Sequence, residues 1–533
     1  MIKAVRGTRD LLPPETALWN FVESVVRDVF RAYNFQEIRT PIFEATELFA
    51  RGVGEETDIV SKEMYTWADG ERFEKALLIS KWYLANRERF GSVVESAPGE
   101  SPIDMECQDH DGNFEIVKFG SRPTTDALEI LASAVSEERN LLARGNYSKQ
   151  VTGRFVFSSP VPIEPEVRTP EGLLLEAVHG NFYKSSQSLT LRPEATAGIV
   201  RAYIEHKLGD RGLNKLYCIG PMFRRERPQK GRYRQFYQID AEIIGPASAG
   251  SESPARDAEV LEMLATLLDR LGITNWNLEL NSVGTPADRV QFNEALRKAL
   301  EPVVGQMCED CQRRAVTNPL RVFDCKVPAD QPVIETLPRI TQFLGEDSRK
   351  HFEAVQAILT KVGVRFTLND RLVRGLDYYT RTAFEFTHGA LGAQNAILGG
   401  GRYDGLSEAL GGPAAPGIGF AIGEDRLILS LLEKAPAESV ARKPDVYIAP
   451  MASMNAQAAK LARELRRHDL VVELGDDTFR LKKSFEAATK VGAKYILIVG
   501  ENEVKADAFA LKNLATGEQV SVARSELPRK IRE

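Results

Sequence analysis

Apolar residues recur at helical spacing through 18–33 (Leu18, Val22, Val25, Val26, Val29 and Phe30), which predicts an amphipathic helix. Residues 35–40 then alternate as a strand does, and Pro41 closes the run. Residues 216–223 form an apolar strand, 225–231 a charged turn and 233–243 a returning strand, which together predict a hairpin. Helical periodicity marks 200–206 and 255–271, and 276–282 is a strand running out into Asn-Ser-Val-Gly. From about 287 to 362 the pattern is helical and polar. After a linker-like stretch at 434–440, residue 443 opens a last domain. Strands at 446–449, 471–474 and 495–499 alternate there with helices at 456–467 and 481–491, which argues for a small parallel-type α/β unit.

Residues 71–184 carry a pattern of their own. Helices are expected at 74–90, 124–144 and 171–178, and a strand at 152–158. Two further strands, 103–108 and 113–119, are joined by Asp-His-Asp-Gly, a hairpin-turn composition. This is a small α/β unit, long enough for a modest core.

Composition narrows the class. At 533 residues the chain has room for three or four domains of about 150 residues each. With 43% hydrophobic and 27% charged residues it is built like an ordinary globular protein. A net charge of −6 excludes wholesale electrostatic binding of nucleic acid, though not a local basic site. No run reaches the length of a membrane span, and the N-terminus is polar. Five cysteines, an odd number without a secretory pattern, are expected as reduced thiols in the cytoplasm. Cys308 and Cys311 have metal-ligand spacing, with Cys325 further on. Three thiols fall one short of a closed zinc site unless His351 comes in from a distance, so free thiols are the expectation and no metal is assigned.

The mouth of the hairpin carries the chemistry. Arg224, Arg227, Lys230, Arg232 and Arg234 offer guanidinium forks and an ammonium to a polyanion, while Glu226, Gln238 and Glu242 offer acceptors and an amide to a hydrogen-bond donor. Residues 398–406, Leu-Gly-Gly-Gly-Arg-Tyr-Asp-Gly-Leu, are expected as a glycine-rich turn that lets backbone approach a ligand. Gly417, Gly419 and Gly423 miss the dinucleotide-binding spacing by one residue.

The run Arg-Pro-Gln-Lys-Gly-Arg-Tyr-Arg-Gln-Phe (227–236) resembles motif 2 of class II aminoacyl-tRNA synthetases, and within them the histidyl-tRNA synthetase family. The same family's phrases are matched at 5–14, 46–67 and 191–198 and at 372–380, Leu-Val-Arg-Gly-Leu-Asp-Tyr-Tyr-Thr; 417–426 resembles motif 3. Residues 18–41 are similar to motif 1, the dimer-forming element.

The resemblance implies an α+β fold, with an antiparallel catalytic sheet flanked by helices and built from 1–70 and 185–435. Residues 71–184 would interrupt it as an inserted α/β domain, and 287–362 would be a helical insertion. Residues 443–533 would form the anticodon-binding domain. It implies a homodimeric cytoplasmic ligase using ATP with Mg²⁺, L-histidine and tRNA(His). In that frame Arg374 and Arg224 are catalytic. Arg224, Glu226, Arg232 and Arg426 hold ATP. Glu194, Thr196 and Gln238 take the histidine ammonium, Glu242 and Tyr379 read the two imidazole nitrogens, and Tyr403 lines the pocket.

Tyr237, Asp240 and Asp425 depart from the commoner wording, and Asp240 is expected to add a negative charge beside the pocket. The family's other branch, the histidine-sensing regulatory subunit of ATP phosphoribosyltransferase, is the alternative. Its members typically lack the last domain and lose the motif residues, which are intact here. In the insert, Asp104, Glu115 and Lys118 resemble a nuclease's acidic-plus-lysine set. Glu115 stands three residues before Lys118, which puts the two on opposite faces of a strand.

Overall fold

A computed structural model of the protein describes residues 2–54, 57, 59–68, 188–226, 228, 231–376, 378–389, 395–433 and 441–533, with the backbone of two strands at 103–108 and 114–119. It divides into two compact units, Met1–Asp10 with Val25–Leu431, and Leu11–Ser24 with Leu432–Glu533.

In chain order, the first unit begins with strands β1 (Gln36–Glu37), β2 (Phe43–Ala45), β3 (Tyr65–Ala68), β4 (Ile103–Gln108), β5 (Phe114–Phe119) and β6 (Ser188–Leu191). It continues with β7 (Asn214–Phe223), β8 (Gln235–Ile244), β9 (Trp276–Ser282), β10 (Thr367–Leu368), β11 (Thr380–His388), β12 (Ala396–Arg402) and β13 (Gly417–Gly423). Eight of these form one sheet in the order β1-β7-β8-β13-β12-β11-β9-β10. Its interior is antiparallel and only the short edge strands pair in parallel.

Side chains alternate across a strand, and that period sorts this sheet into two surfaces. On one, Ile239, Ala241 and Ile243 stand with Ile418, Phe420, Ile422, Phe384 and Phe386, all buried. The helices Pro254–Arg270 and Glu346–Val362 pack on this side. Phe30, from the C-terminal half of the helix Glu15–Ala32, puts its ring 4.9 Å from Tyr217 and 6.1 Å from Phe420.

A polar knot ties the covering helices to the strands. Asp257 accepts from Arg402, from the Thr382 hydroxyl at 2.5 Å, and pairs with His351 at 2.8 Å. Asp257 and Arg402 are fully buried. The fork of donors around Asp257 outweighs its burial and holds its pKa below the usual value.

The other surface carries Gln238, Asp240 and Glu242 opposite Gly423, Ala421 and Gly419. These continue across Gly401 and Gly399 to Ala383 and Glu385. The helix Thr196–Glu205 covers part of it, packing Ile199 against Leu216, Cys218 and Met222. The helical stretch at 287–362 comprises Pro286–Leu300, Glu309–Thr317, Gln331–Thr336 and Glu346–Val362 with short 3-10 turns between them.

Two expectations change. Residues 399–401 lie in strand β12 rather than in a turn, and none has a positive φ. Their glycines give space, not turning freedom. Residues 35–40 hold only the two-residue strand β1: Gln36 and Glu37 pair in register with β7, and the Ile38 amide adds a last bond to the Tyr217 carbonyl at 2.8 Å.

A second sheet runs β2-β6-β3, and β4 pairs with β5 as an antiparallel hairpin. In that hairpin Asp104 stands opposite Lys118 and Glu115 opposite Cys107. The expected helices at 74–90, 124–144 and 171–178, the strand at 152–158 and the linker at 434–440 lie outside the described residues. Among the described residues no helix is long and apolar enough to cross a membrane.

In the second unit, strands β14 (Val446–Pro450), β15 (Val472–Leu474), β16 (Tyr495–Val499), β17 (Ala508–Asn513) and β18 (Gln519–Ala523) form a sheet in the order β15-β14-β16-β17-β18. The first three are parallel, as the alternation with helices Asn455–Arg466 and Leu481–Lys490 requires. The last two add an antiparallel hairpin, turned by Gly517 at φ +77°, which the sequence reading passed over. The sheet is therefore mixed.

Candidate active site

The glycines of β12 and β13 make the room in which the functional side chains lie. A Cβ on Gly399 would fall on the Arg374 guanidinium, and one on Gly401 on the Tyr379 ring. On Gly417 it would strike the Tyr403 ring, and on Gly419 the Glu242 carboxylate. Four side chains assigned from sequence thus converge on one glycine-paved surface.

At one end lies a cup. Thr196 donates its hydroxyl to Glu242 Oε1 at 2.7 Å. Glu242 Oε2, Gln238 Oε1 and the Tyr403 hydroxyl are buried polar atoms without a hydrogen-bond partner. Tyr403 lies close enough to influence Glu242 electrostatically but not in bonding geometry. Burial pushes the Glu242 carboxyl up to about 8, with the Tyr403 and Thr196 hydroxyls pulling the other way. Tyr378 completes the cup, its ring 4.7 Å from Tyr379 and 5.9 Å from Tyr403.

At Asp240 burial first, then the neighbouring Glu242 and Glu194, raise the pKa well above the usual carboxylate value, which works against the negative charge expected there. Glu194 accepts the Thr196 and Ala197 amides at 2.8 and 2.9 Å and so caps the helix Thr196–Glu205. Burial still raises its pKa.

The other end is cationic. Arg224 donates Nε to the Pro193 carbonyl at 2.9 Å and lies 5.2 Å from the Phe236 ring centre. Glu226 sits between Arg232, at 3.0 Å, and Arg224, at 4.0 Å. Arg426 donates to the Ala396 carbonyl at 2.8 Å. Its pKa is lowered, first by burial and then by the Arg232 charge, with Arg224 adding to it. Arg374 donates to Glu385 at 2.7 Å and keeps a buried Nε without a partner. Burial works against its charge, but Glu385 and Tyr379 outweigh that and raise its pKa. Arg227 and Lys230 lie outside the described residues.

Sequence reasoning missed Glu385, Tyr378 and the lacing of the N-terminus. Glu385 between Phe384 and Phe386 was a legible signal, because a charge amid apolar neighbours marks the opposite face of a strand. The N-terminal phrase had no such signal. Arg234 donates its amide to the Gly7 carbonyl at 2.7 Å, and Arg9 pairs with Asp425 at 2.9 Å. Asp425 also accepts the Tyr237 amide at 3.3 Å, so two of the three unusual positions meet.

A family model described as histidyl-tRNA synthetase matches residues 182–427, and one described as an anticodon binding domain matches 445–533. A histidine–tRNA ligase of Koribacter versatilis is 55% identical over 529 residues, 99% of this chain and 95% of the relative. The chain belongs to the histidyl-tRNA synthetase family.

Another relative, the histidine–tRNA ligase of Solibacter usitatus, is 46% identical over 99% of this chain and 98% of its own length. The crystal structure of apo Staphylococcus aureus histidyl-tRNA synthetase superposes with a TM-score of 0.65 at 30% identity, covering 100% of both chains. That of Nostoc sp. PCC 7120, at 18% identity and a TM-score of 0.58, shares the fold. Ligase activity follows from family membership, and the regulatory alternative is not favoured: relatives matched along the whole chain are ligases.

Proposed function

We propose that this pocket joins L-histidine to ATP as an adenylate and passes the aminoacyl group to tRNA(His). The observation that carries the proposal is the junction of two environments on one surface. A cup with unpartnered polar atoms at Glu242, Gln238 and Tyr403 adjoins a cluster of arginines, where burial and then the Arg232 charge lower the pKa of Arg426.

An imidazole has one donor and one acceptor nitrogen. Glu242 accepts from the first and the Tyr379 hydroxyl donates to the second, while Tyr403 and Tyr378 wall the ring. Gln238, Thr196 and Glu194 face the ammonium. The histidine carboxylate then attacks the α-phosphate of ATP and pyrophosphate leaves. Both reactants are anions, so the barrier is largely electrostatic. Arg224 bridges carboxylate and α-phosphate, and Arg374 holds the α-phosphate from the other side, kept in place by Glu385. Arg232 and Arg426 take the outer phosphates or the adenine, with Glu226 orienting Arg232.

Mg²⁺ would neutralise charge on the outer phosphates. Glu226 and Glu385 are each tied to an arginine, which suits an ion carried in by the nucleotide.

A homodimer fits the exposed Ile42, Phe43 and Trp67, at 46%, 49% and 42% exposure; the last two rings lie 6.1 Å apart on β2 and β3. The second unit reads the tRNA anticodon, and a cytoplasmic setting suits both the substrates and the reduced cysteines.

The test is amino-acid-dependent exchange of pyrophosphate into ATP. Histidine alone should support it, and Arg374→Ala should lower it by about 10²–10³-fold while histidine binding survives. Exchange driven by another amino acid, or near-normal exchange in Arg374→Ala, overturns the assignment.

A further inference from the structure

Cys308, Cys311 and Cys325 gather with Asp330 within the first unit's helical stretch. Their four ligand atoms lie within 4.8 Å of one another. We infer that these four residues form a structural zinc site.

Two of the distances match those of a tetrahedral ion. Zn–S bonds of about 2.3 Å and a Zn–O bond of about 2.0 Å place two sulfurs about 3.8 Å apart and a sulfur and an oxygen about 3.5 Å apart. Cys308 Sγ and Cys325 Sγ are 3.9 Å apart, and Cys325 Sγ is 3.3 Å from Asp330 Oδ2. The fourth ligand is thus a carboxylate near in sequence. His351 is committed to Asp257 at 2.8 Å.

The frame around the four residues is also that of a metal site. Cys308 is the N-cap of the helix Glu309–Thr317 and Cys311 lies in its first turn, so the Cys-x-x-Cys pair is presented by one rigid turn. The Cys308 amide donates to the Asp330 carboxylate at 3.2 Å, and the Val327 amide points to Cys325 Sγ at 3.4 Å. Amides that orient the ligands and favour their charged forms are the outer shell such ions use. Asp330 is only 2% exposed, and sulfur faces it. The amide and thiol donors around Asp330 favour its carboxylate form, the form that binds a cation. Three sulfurs and one oxygen in a closed tetrahedron suit zinc better than magnesium or calcium.

The site has work to do. The surrounding segment is made of short helices and 3-10 turns, and its core joins Cys311 and Cys325 to Phe292, Phe323 and Val373. Val373 precedes Arg374, so the ion braces the loop that carries the reacting arginine.

The full chain, purified with reductant from zinc-supplemented cells, should contain about one zinc per chain by elemental analysis. Cys311→Ser and Asp330→Ala should each lower this to below about a tenth, and Asp330→Cys should retain it. Should a variant fail to fold, the parent chain decides. Stripped and reloaded with Co²⁺, it should show thiolate-to-cobalt charge transfer and the visible bands of a tetrahedral ion. A parent chain that carries no zinc and binds Co²⁺ without those bands overturns the inference, and so does zinc that persists in Cys311→Ser. A Cys308–Cys325 disulfide in place of the metal also overturns it.

Discussion

Glu242 combines selectivity with instability. Fully buried, it gives one oxygen to Thr196 and leaves the other unpartnered. Its carboxyl titrates near 4.5 when solvated and near 8 in the folded chain. The folded state therefore holds the proton more tightly. The stability this confers is complete below about pH 4.5 and is lost as pH rises to about 8. Glu242→Gln, isosteric but without charge, should remove that slope. Its melting temperature should exceed the parent's by a margin that widens from about pH 5 to pH 8.5, with the high-pH gap on the order of a few kcal/mol. If Glu242 is the imidazole's acceptor, histidine-dependent exchange should fall about a hundredfold, because an amide cannot ionise when the ligand binds. A melting difference independent of pH would show that Glu242 is not held protonated. Asp240, raised for the same reason and by Glu242 itself, shares in the slope, so the cup as a whole is bought with stability.

At the scale of the element, β12 separates function from folding within three residues. Gly399 and Gly400 are neighbours on opposite faces. The three atoms nearest to a methyl at Gly399 all belong to the far end of the Arg374 side chain, which can move aside. A methyl at Gly400 meets the Phe420 Cα at 2.8 Å and the Gly419 carbonyl, backbone that cannot. Gly399→Ala should fold with nearly the parent's melting temperature and lose exchange nearly as far as Arg374→Ala. Gly400→Ala should lose stability first, by about 1–3 kcal/mol. Equal melting temperatures for the two variants would contradict the facing assigned to β12. The glycine run itself was legible. Its place in a strand was not, because three glycines carry no alternation from which a period can be read. The phrases at 191–198, 223–242 and 372–380 were legible because each is an unbroken run of neighbours, and a resemblance in wording needs nothing more. Glu385 lies in a stretch that sequence reasoning did not examine, and its role depends on Arg374 arriving from eleven residues away.

For the whole molecule, the question is how a catalytic sheet tolerates residues 71–184. The strands that flank them answer it. β3 and β6 pair antiparallel, and their last partners are Ala68 and Ser188. The chain leaves and returns at one point of the small sheet, as a hairpin does. Replacing 69–187 with a two-residue Asn-Gly turn should therefore yield a chain that folds and keeps histidine-dependent exchange within about tenfold of the parent. Insolubility or loss of exchange would mean that residues 69–187 support the sheet. Measuring tRNA charging on the same variant then shows whether they serve the second substrate.

Periodicity and residue chemistry along the chain were enough to predict the long helices, the arginine hairpin and the alternating last domain, and the resemblance of its motifs pointed to the family. Those features depend on neighbours in sequence, and a local pattern records them. The tertiary structure alone decided that the Asp240 pKa is raised, that Glu385 steadies Arg374, that Asp257 joins Arg402 to His351, and that Asp330 closes the cysteine cluster. Each of those depends on burial or on groups brought together from separate elements, and neither burial nor distance is written in the order of residues.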